Sequence, residues 1–235
     1  MKKNLSIILA GGSGIRLNKE TPKQFIELAG KPIIAHTIAG FANYPAIDHI
    51  FVVTNPEYID QTVTLIEENN FKKVKKVLKG GGTRRESSYI GIMAAEDDYE
   101  NVLIHDAVRP FVTNRLIDEL ISKLSCFAAV VPGIPSTDTI LKISEEQVVQ
   151  DIPDRNFLRR VQTPQAFKFP LIKKAHVLAL KNHLSNVSDD CSLILKYNLC
   201  DICFVPGSPD NIKITYPHDL ILAEEVLKSL MKNRI

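Results

Sequence analysis

Short apolar runs alternate with amphipathic stretches along the chain up to residue 131. The apolar runs predict buried strands at residues 5–9, 49–54, 75–78, 101–105 and 128–131. Between them, apolar side chains recur with helical spacing over residues 32–41, 58–69, 87–95 and 114–124. Strands that lack a polar face and alternate with helices are typical of a parallel sheet covered on both sides. The pattern therefore predicts an α/β fold with a mostly parallel central sheet.

The periodicity changes after residue 132. Polar and apolar residues alternate over 139–143 and 147–151 around Glu145-Glu146, which predicts a β-hairpin. A helix at 170–180, a strand at 201–205 and a terminal helix at 217–231 are predicted to follow. Because no repeat or low-complexity linker divides the chain, we expect a single domain over residues 1–235. The hairpin would protrude from it as an arm at about 136–160.

Composition narrows the class of protein. The 235 residues are 45% hydrophobic and 24% charged, which excludes collagen, coiled coils and disordered chains. The net charge of +2 argues against nonspecific nucleic-acid binding, and no apolar run is long enough for a membrane helix. The first apolar stretch is too short for a signal peptide, and four cysteines are too few for a disulfide scaffold. We therefore expect a cytoplasmic protein without nucleic-acid or membrane partners.

A glycine-rich loop follows the first predicted strand. Ala10-Gly11-Gly12-Ser13-Gly14 stands at the carboxyl end of that strand, where open α/β sheets bind ligands. Glycines let backbone N–H groups approach phosphate oxygens, and the cations Arg16 and Lys23 follow. The loop lacks the Gly-Lys-Ser/Thr of the Walker motif and the third glycine of a dinucleotide fingerprint. From these residues alone, a tight turn with solvated cations remains the alternative.

Five motifs, in order along residues 5–227, resemble one enzyme family. The first is the loop at residues 9–16 followed by Pro22-Lys23-Gln24. The others are Gly81-Gly82-Thr83-Arg84-Arg85-Glu86-Ser87-Ser88, His105-Asp106-Ala107-Val108-Arg109-Pro110-Phe111, Gln162-Thr163-Pro164-Gln165-Ala166-Phe167 and Asp210-Asn211-Ile212-Lys213-Ile214-Thr215. Together they resemble the cytidylyltransferases of 2-C-methyl-D-erythritol 4-phosphate and ribitol 5-phosphate. The resemblance implies a Rossmann-like nucleotidyltransferase fold.

The resemblance also implies a reaction, in which a small polyol phosphate attacks the α-phosphorus of CTP and expels pyrophosphate. Two anions must meet, so such a site needs cations and positioned N–H donors more than a strong base. The resemblance assigns catalysis to Arg16, Lys23, Arg155 and Lys213. It assigns CTP binding to Leu9, Ala10, Gly11, Gly12, Ser13, Gly14, Gly81, Gly82, Arg85, Ser88, Asp106 and Ala107. It assigns substrate binding to Asp106, Arg109, Thr139, Arg155, Thr163, Ser188 and Lys213.

A metal ion and a second subunit follow from the same resemblance. A divalent cation, Mg²⁺ or another, would be held by Asp106 and Asp210. The arm would cross to the partner of a homodimer and complete its active site with Thr139 and Arg155. A surface loop with ordinary charges is the alternative for the arm, and an ordinary helix N-cap is the alternative for Ser188.

Charged side chains near the third motif are unusual even without the resemblance. Asp106 ends a buried strand, where a carboxylate is costly unless it meets a metal, a hydroxyl or a cation. A simple ion pair between Asp106 and Arg109 is the alternative. Lys213 falls in a predicted short apolar strand, where a cation is unexpected unless it faces an anion. His105 is expected to be a structural core residue.

The sequence leaves the polyol open. Leu9-Ala10-Gly11-Gly12 stands where methylerythritol-phosphate enzymes usually have Pro-Ala-Ala-Gly, Val108 replaces an alanine, and the chain has no tryptophan. These differences resemble ribitol-phosphate relatives. 2-C-methyl-D-erythritol 4-phosphate is still the best single prediction, with D-ribitol 5-phosphate nearly level. An NAD-dependent dehydrogenase is disfavoured by the missing third glycine, and an inactive homologue is disfavoured by the presence of every expected cation.

Overall fold

The computed structural model describes residues 3–12, 21–184, 187 and 189–232. Within them, the strands are β1 (Lys3–Ala10), β2 (Glu27–Leu28), β3 (Lys31–Pro32), β4 (His49–Thr54), β5 (Val74–Lys79), β6 (Tyr99–Asp106), β7 (Ala129–Pro135), β8 (Lys142–Ile143), β9 (Val149–Asp151), β10 (Arg159–Val161), β11 (Gln165–Lys168) and β12 (Cys203–Pro206). The helices are α1 (Ile33–Ala42), α2 (Ile59–Glu68), α3 (Arg84–Met93), α4 (Asn114–Lys123), α5 (Phe169–Lys181), α6 (Asp190–Lys196) and α7 (Pro217–Lys232). Short 3₁₀ turns cover Lys23–Phe25, Pro56–Tyr58 and Arg155–Phe157.

The central sheet has eight strands in the order β10-β7-β11-β6-β1-β4-β5, with β12 also paired to β7. β1 runs parallel to both β4 and β6, β4 runs parallel to β5, and β12 runs parallel to β7. β10 and β11 are antiparallel to their neighbours. The mixed, mostly parallel sheet confirms the predicted α/β class. The carboxyl ends of β1, β4 and β6 therefore meet at one edge of the sheet, where a ligand can bind.

Alternate side chains of β1 enter two hydrophobic clusters. Ile8 packs with residues of α1 and α4, whereas Ile7 packs with residues of α3 and α5. Ile7 and Ile8 are both fully buried, because helices cover both faces of the sheet. This double burial explains why the strands read as continuous apolar runs.

A close approach of α3 to the sheet gives a testable requirement for glycine. A Cβ atom on Gly91 would lie 2.7 Å from Ile7 Cγ2 and 3.1 Å from Val53 Cγ2. We expect Gly91→Ala to lower the free energy of unfolding by about 2 kcal/mol in urea titrations, despite the better helix propensity of alanine. Gly40→Ala is the comparison: its Cβ would lie 2.9 Å from one methyl group of half-buried Val112, which has more room to move than the core residues around Gly91, so we expect a smaller loss. Wild-type stability in Gly91→Ala would contradict this close packing.

Three features of the sheet differ from the predicted pattern. β10, which pairs antiparallel with β7, was not predicted as a strand. β11 was not predicted as a strand, yet it inserts antiparallel between β6 and β7. Its four residues, which follow the cis peptide bond Thr163–Pro164, are too few to show a period. β12 begins at Cys203, two residues later than the predicted start at residue 201.

The predicted hairpin is present as β8 and β9, which pair antiparallel with Lys142 opposite Asp151. All residues of both strands are exposed, and so are the apolar side chains of Ile152 and Phe157 nearby. In the part of the chain that the structure describes, no helix is long and apolar enough to cross a membrane.

Candidate active site

A cavity of about 530 Å³ lies at the carboxyl ends of β1, β4 and β6. The predicted residues that line it are, from the first loop, Leu9, Ala10, Gly11, Gly12 and Lys23. Gly81 and Gly82 line it between β5 and α3, and Asp106, Ala107 and Lys213 close the remaining side. Residues from four distant motifs therefore share one pocket, as the resemblance implied. Ser13, Gly14, Arg16 and Ser188 lie outside the described residues.

The first loop is fixed by a buried glutamine. Gln24 is 1% exposed, and its Nε2 donates a hydrogen bond to the backbone oxygen of Ala10 at 2.7 Å. Gln24 belongs to the same 3₁₀ turn as Lys23, so this bond holds the lysine beside the loop. The glycines of the loop and a cation thus line the same cavity, an arrangement that suits phosphate oxygens.

Asp106 is surrounded by cations at the floor of the pocket. Its Oδ2 lies 2.8 Å from Lys213 Nζ and 3.8 Å from Arg109 Nε, and its Oδ1 lies 3.3 Å from Arg84 Nε. Burial by itself would raise the pKa of Asp106, but the charges of Arg84 and Lys213 outweigh it and hold that pKa well below its ordinary value. Asp106 is therefore ionised and a poor general base. The Asp106–Arg109 ion pair, which the sequence offered as an alternative, is therefore one of three ion pairs that Asp106 makes.

Lys213 does face an anion, which within the chain is Asp106. Residues 212–214 form no strand, contrary to the prediction, although the N–H of Ile214 donates to the oxygen of Val108 at 3.0 Å. This bond brings the extended segment alongside the loop after β6. The Lys213 side chain is 40% exposed, so its ammonium group remains accessible from the cavity.

A buried chain of hydrogen bonds supports Asp106 from below. The N–H of Asp106 donates to Thr163 Oγ1 at 3.1 Å, and His105 Nδ1 lies 3.0 Å from the same hydroxyl. Since His105 Nε2 must donate to the backbone oxygen of Arg109 at 2.9 Å, Nδ1 accepts from the hydroxyl of Thr163. Burial lowers the pKa of His105 to about 4, so the ring is neutral. These contacts support a structural role for His105 and place Thr163 behind the pocket wall.

The pocket-facing residues of α3 lie one position earlier than the resemblance implied. Arg84 and Ser87 line the cavity, whereas Ser88 is fully buried on Asp190 and Arg85 pairs with Glu86 at 3.7 Å. Ser87 Oγ accepts a hydrogen bond from the N–H of Gly81 at 3.2 Å, which turns its hydroxyl towards the glycine loop.

The three consecutive glycines explain this difference. Gly80-Gly81-x-x-Arg84-x-x-Ser87 has the same spacing as the motif that begins at Gly81. Helical geometry separates the two possibilities, because Thr83 Oγ1 caps α3 and fixes which residues face the sheet. Arg84 and Ser87 were not predicted from the sequence. The three glycines at residues 80–82 nevertheless allowed the motif to begin at either Gly80 or Gly81.

Seven predicted residues among those described do not line this pocket: Arg85, Ser88, Arg109, Thr139, Arg155, Thr163 and Asp210. Thr139 and Arg155 are exposed on the arm, and Asp210 is exposed beyond the lining residues. Within residues 3–12, 21–184, 187 and 189–232, no group of three or more His, Cys, Asp or Glu side chains could hold a metal ion.

Comparisons with known proteins agree with this geometry. The family model of 2-C-methyl-D-erythritol 4-phosphate cytidylyltransferase matches residues 5–229. A protein of that name from Clostridium botulinum (strain Langeland) is 40% identical over 98% of this chain and 100% of its own length. Another from Thermobifida fusca is 35% identical over 94% of this chain and 92% of its own length.

Solved structures give the same result. The 4-diphosphocytidyl-2C-methyl-D-erythritol synthase of Anaerococcus prevotii superposes with a TM-score of 0.85 at 30% identity, over 97% of this chain and 96% of that one. The 2-C-methyl-D-erythritol 4-phosphate cytidylyltransferase of Thermus thermophilus gives 0.76 at 28% identity, over 94% and 98%. The chain therefore belongs to the 2-C-methyl-D-erythritol 4-phosphate cytidylyltransferase family.

Proposed function

We propose that this protein transfers CMP from CTP to 2-C-methyl-D-erythritol 4-phosphate and releases pyrophosphate. The observation that carries the proposal is the pocket lined by Lys23, Arg84 and Lys213, in which Arg84 and Lys213 flank the ionised carboxylate of Asp106. The family match favours this polyol over D-ribitol 5-phosphate. The first-loop and Val108 differences that resembled ribitol-phosphate relatives therefore do not distinguish the two substrates.

The chemistry of the pocket suits phosphate attack without a general base. A phosphate oxygen of the polyol is already ionised and attacks the α-phosphorus, while the bond to the bridging oxygen of pyrophosphate breaks. Lys213 and Lys23 would stabilise the charge that develops on the phosphoryl oxygens. Arg16 would add to it, and Arg109 would meet the incoming phosphate. Ser87 and Arg84, rather than Ser88 and Arg85, would contact the nucleotide beside Gly81 and Gly82.

The residues present fit a divalent cation that is shared with the nucleotide. Among the described residues, Asp106 is the one carboxylate that lines the pocket, and Mg²⁺ commonly takes one or two carboxylates and completes its shell with phosphate oxygens and water. When bound, the ion would neutralise charge on the triphosphate. Asp106 would hold it, and Asp210, exposed outside the pocket, has weaker support.

The direct test of the function is pyrophosphate release by the purified protein with CTP and Mg²⁺. We expect rapid release with 2-C-methyl-D-erythritol 4-phosphate and at least about tenfold lower kcat/KM with D-ribitol 5-phosphate. ATP and UTP serve as controls for the base. The absence of turnover with the methylerythritol substrate would contradict the proposal.

We infer a homodimer whose arms complete each other's sites. Apolar side chains of the arm stand in water in a single chain, notably Phe157, which is 84% exposed, and Ile152, which is 58% exposed. Such a patch is typical of an interface. Arg155 lies next to it and away from its own chain's pocket, which supports action in the partner's site. The four cysteines are free thiols, in keeping with a cytoplasmic location for a single-domain enzyme.

Mixed dimers test the shared site. Arg155→Ala and Lys213→Ala chains should each be nearly inactive alone. In dimers formed from both, one site in each mixed dimer has an intact Arg155 and an intact Lys213. We therefore expect recovery of about a quarter of wild-type activity after random exchange of subunits. Mixing each variant with itself is the control, and no recovery in verified mixed dimers would contradict action in trans.

A further inference from the structure

A buried cluster behind the pocket wall connects α6 to the pocket floor. Asp190, the first residue of α6, has a side chain that is 1% exposed and does not line the cavity. Its Oδ2 accepts a hydrogen bond from Arg84 Nη1 at 2.7 Å. The Nε of the same guanidinium lies 3.3 Å from Asp106 Oδ1. Arg84 thus joins a carboxylate outside the pocket to the carboxylate inside it.

Asp190 is held in place by its own surroundings. Its Oδ1 accepts from Ser88 Oγ at 2.5 Å and lies 3.0 Å from His176 Nε2. Its backbone N–H donates to Gln165 Oε1 at 3.1 Å. Because Gln165 lies on β11, directly beside β6, Asp190 is fixed to the sheet that carries Asp106. Hydrogen bonds therefore tie the start of α6 to the strand beside β6.

This cluster contains the residue types of a hydrolytic triad but not the geometry. Ser88 Oγ and Asp190 Oδ1 both approach the same nitrogen of His176, at 3.5 Å and 3.0 Å. A triad instead places the nucleophile and the carboxylate at opposite nitrogens of the ring. Ser88 and His176 are also fully buried, out of reach of a substrate. The cluster is suited to orientation rather than to chemistry of its own.

We propose that Asp190 is a positioning residue for CMP transfer, which orients Asp106 and the pocket by fixing the guanidinium of Arg84. The proposal rests on the function proposed above. Arginine is flexible along its stem but rigid in its planar fork, so a second carboxylate removes most of its freedom. Without Asp190, the guanidinium of Arg84 keeps its ion pair with Asp106, at 3.3 Å, and loses the shorter one, at 2.7 Å. A displacement of about 1 Å at a reacting site costs on the order of 100-fold in rate.

A double-mutant cycle tests this role. Asp190→Asn keeps the shape of the side chain and removes its charge. We expect it to lower kcat about 100-fold, with a much smaller change in KM for CTP. In an Arg84→Met background, the same substitution should lower kcat less than about threefold, because its effect passes through Arg84. Multiplicative effects of the two substitutions, or wild-type kcat in Asp190→Asn, would overturn the proposal.

Control variants separate positioning from folding. Leu124→Ala leaves a cavity in the hydrophobic cluster on the other face of the sheet and touches neither Asp190 nor Arg84, so Tm should fall while kcat per folded molecule stays near wild type. Should Asp190→Asn fail to fold, Gln165→Met provides the second route, because it releases the start of α6 with both carboxylates kept. Its loss of kcat should likewise vanish in Arg84→Met, and persistence there would count against the proposal.

The wild type distinguishes this proposal from the proposed function. No pyrophosphate release by the wild-type protein would contradict the function itself. A wild type that turns over, together with independent effects of Asp190 and Arg84, would contradict the positioning role alone.

Discussion

Replacement of Lys213 by methionine is expected to lower kcat for pyrophosphate release by about 10³-fold. Removal of one preorganised donor from the place where negative charge develops in the transition state commonly lowers kcat by up to about this factor. Lys213 lines the cavity and lies 2.8 Å from Asp106, so its ammonium group is within reach of phosphate bound there. Methionine fills similar space without a charge. Steady-state kinetics with CTP and 2-C-methyl-D-erythritol 4-phosphate give the measurement.

The fold should survive this change. The Lys213 side chain is 40% exposed, and Asp106 keeps Arg84 and Arg109 as partners. We therefore expect a Tm within a few degrees of wild type. Lys174→Met, on the exposed side of α5, is the matched control and should leave kcat unchanged. A kcat above about a tenth of the wild-type value in Lys213→Met would contradict the proposed role of this lysine in stabilising charge on the phosphoryl oxygens.

Replacement of Arg84 by methionine is expected to reduce both stability and turnover. Arg84 pairs with two buried carboxylates, Asp106 and Asp190, which are 10% and 1% exposed. Removal of one partner of a buried ion pair commonly costs about 3 kcal/mol or more, so we expect a loss of about 3 kcal/mol in the free energy of unfolding. Adding Asp190→Asn should restore part of that stability, because it removes an unpaired charge, but no activity.

The pH dependence of stability provides an independent measurement on Arg84→Met. Burial alone would raise the pKa of Asp190, but Arg84 outweighs it and holds that pKa well below its ordinary value, as it does for Asp106. Their stabilisation is complete above the unfolded-state pKa, about 4, and is lost as the pH falls through the folded values. The stability difference between wild type and variant should therefore be largest near neutral pH and shrink in acid. Arg115→Met, on the exposed face of α4, should match wild type throughout, and a constant difference would contradict the ion-pair explanation.

Long apolar strands were predictable because burial on both faces leaves a continuous signal. β1, β4 and β6 follow the predicted ranges within about two residues. β11 and β10 were missed, since strands of four and three residues are specified by pairing with distant neighbours rather than by local pattern. The helix face of Arg84 and Ser87 was missed for a related reason. Three successive glycines fit the motif in two alignments, and the cap at Thr83 decides between them.

The charged network behind the pocket could not be derived from the sequence. Asp106 was identifiable as a carboxylate at the end of a buried strand, and Lys213 as a cation among apolar residues. Nothing local links Arg84 to Asp190, which are 106 residues apart and meet at 2.7 Å. Asp190 begins α6, where an acidic residue is common and indicates no role in the pocket. Its partners come from α3, α5 and β11, so its role becomes visible when those elements pack.

The arm leaves and rejoins the sheet at a single point. Pro135 at the end of β7 pairs directly with Arg159 at the start of β10, and the intervening residues add no strand to the main sheet. An excursion that is closed at its base can change in length or composition without altering the pairing below it. The strand ends that carry the pocket therefore keep their positions when the arm changes. Insertions and substitutions in the arm are expected to leave the backbone of the pocket unchanged.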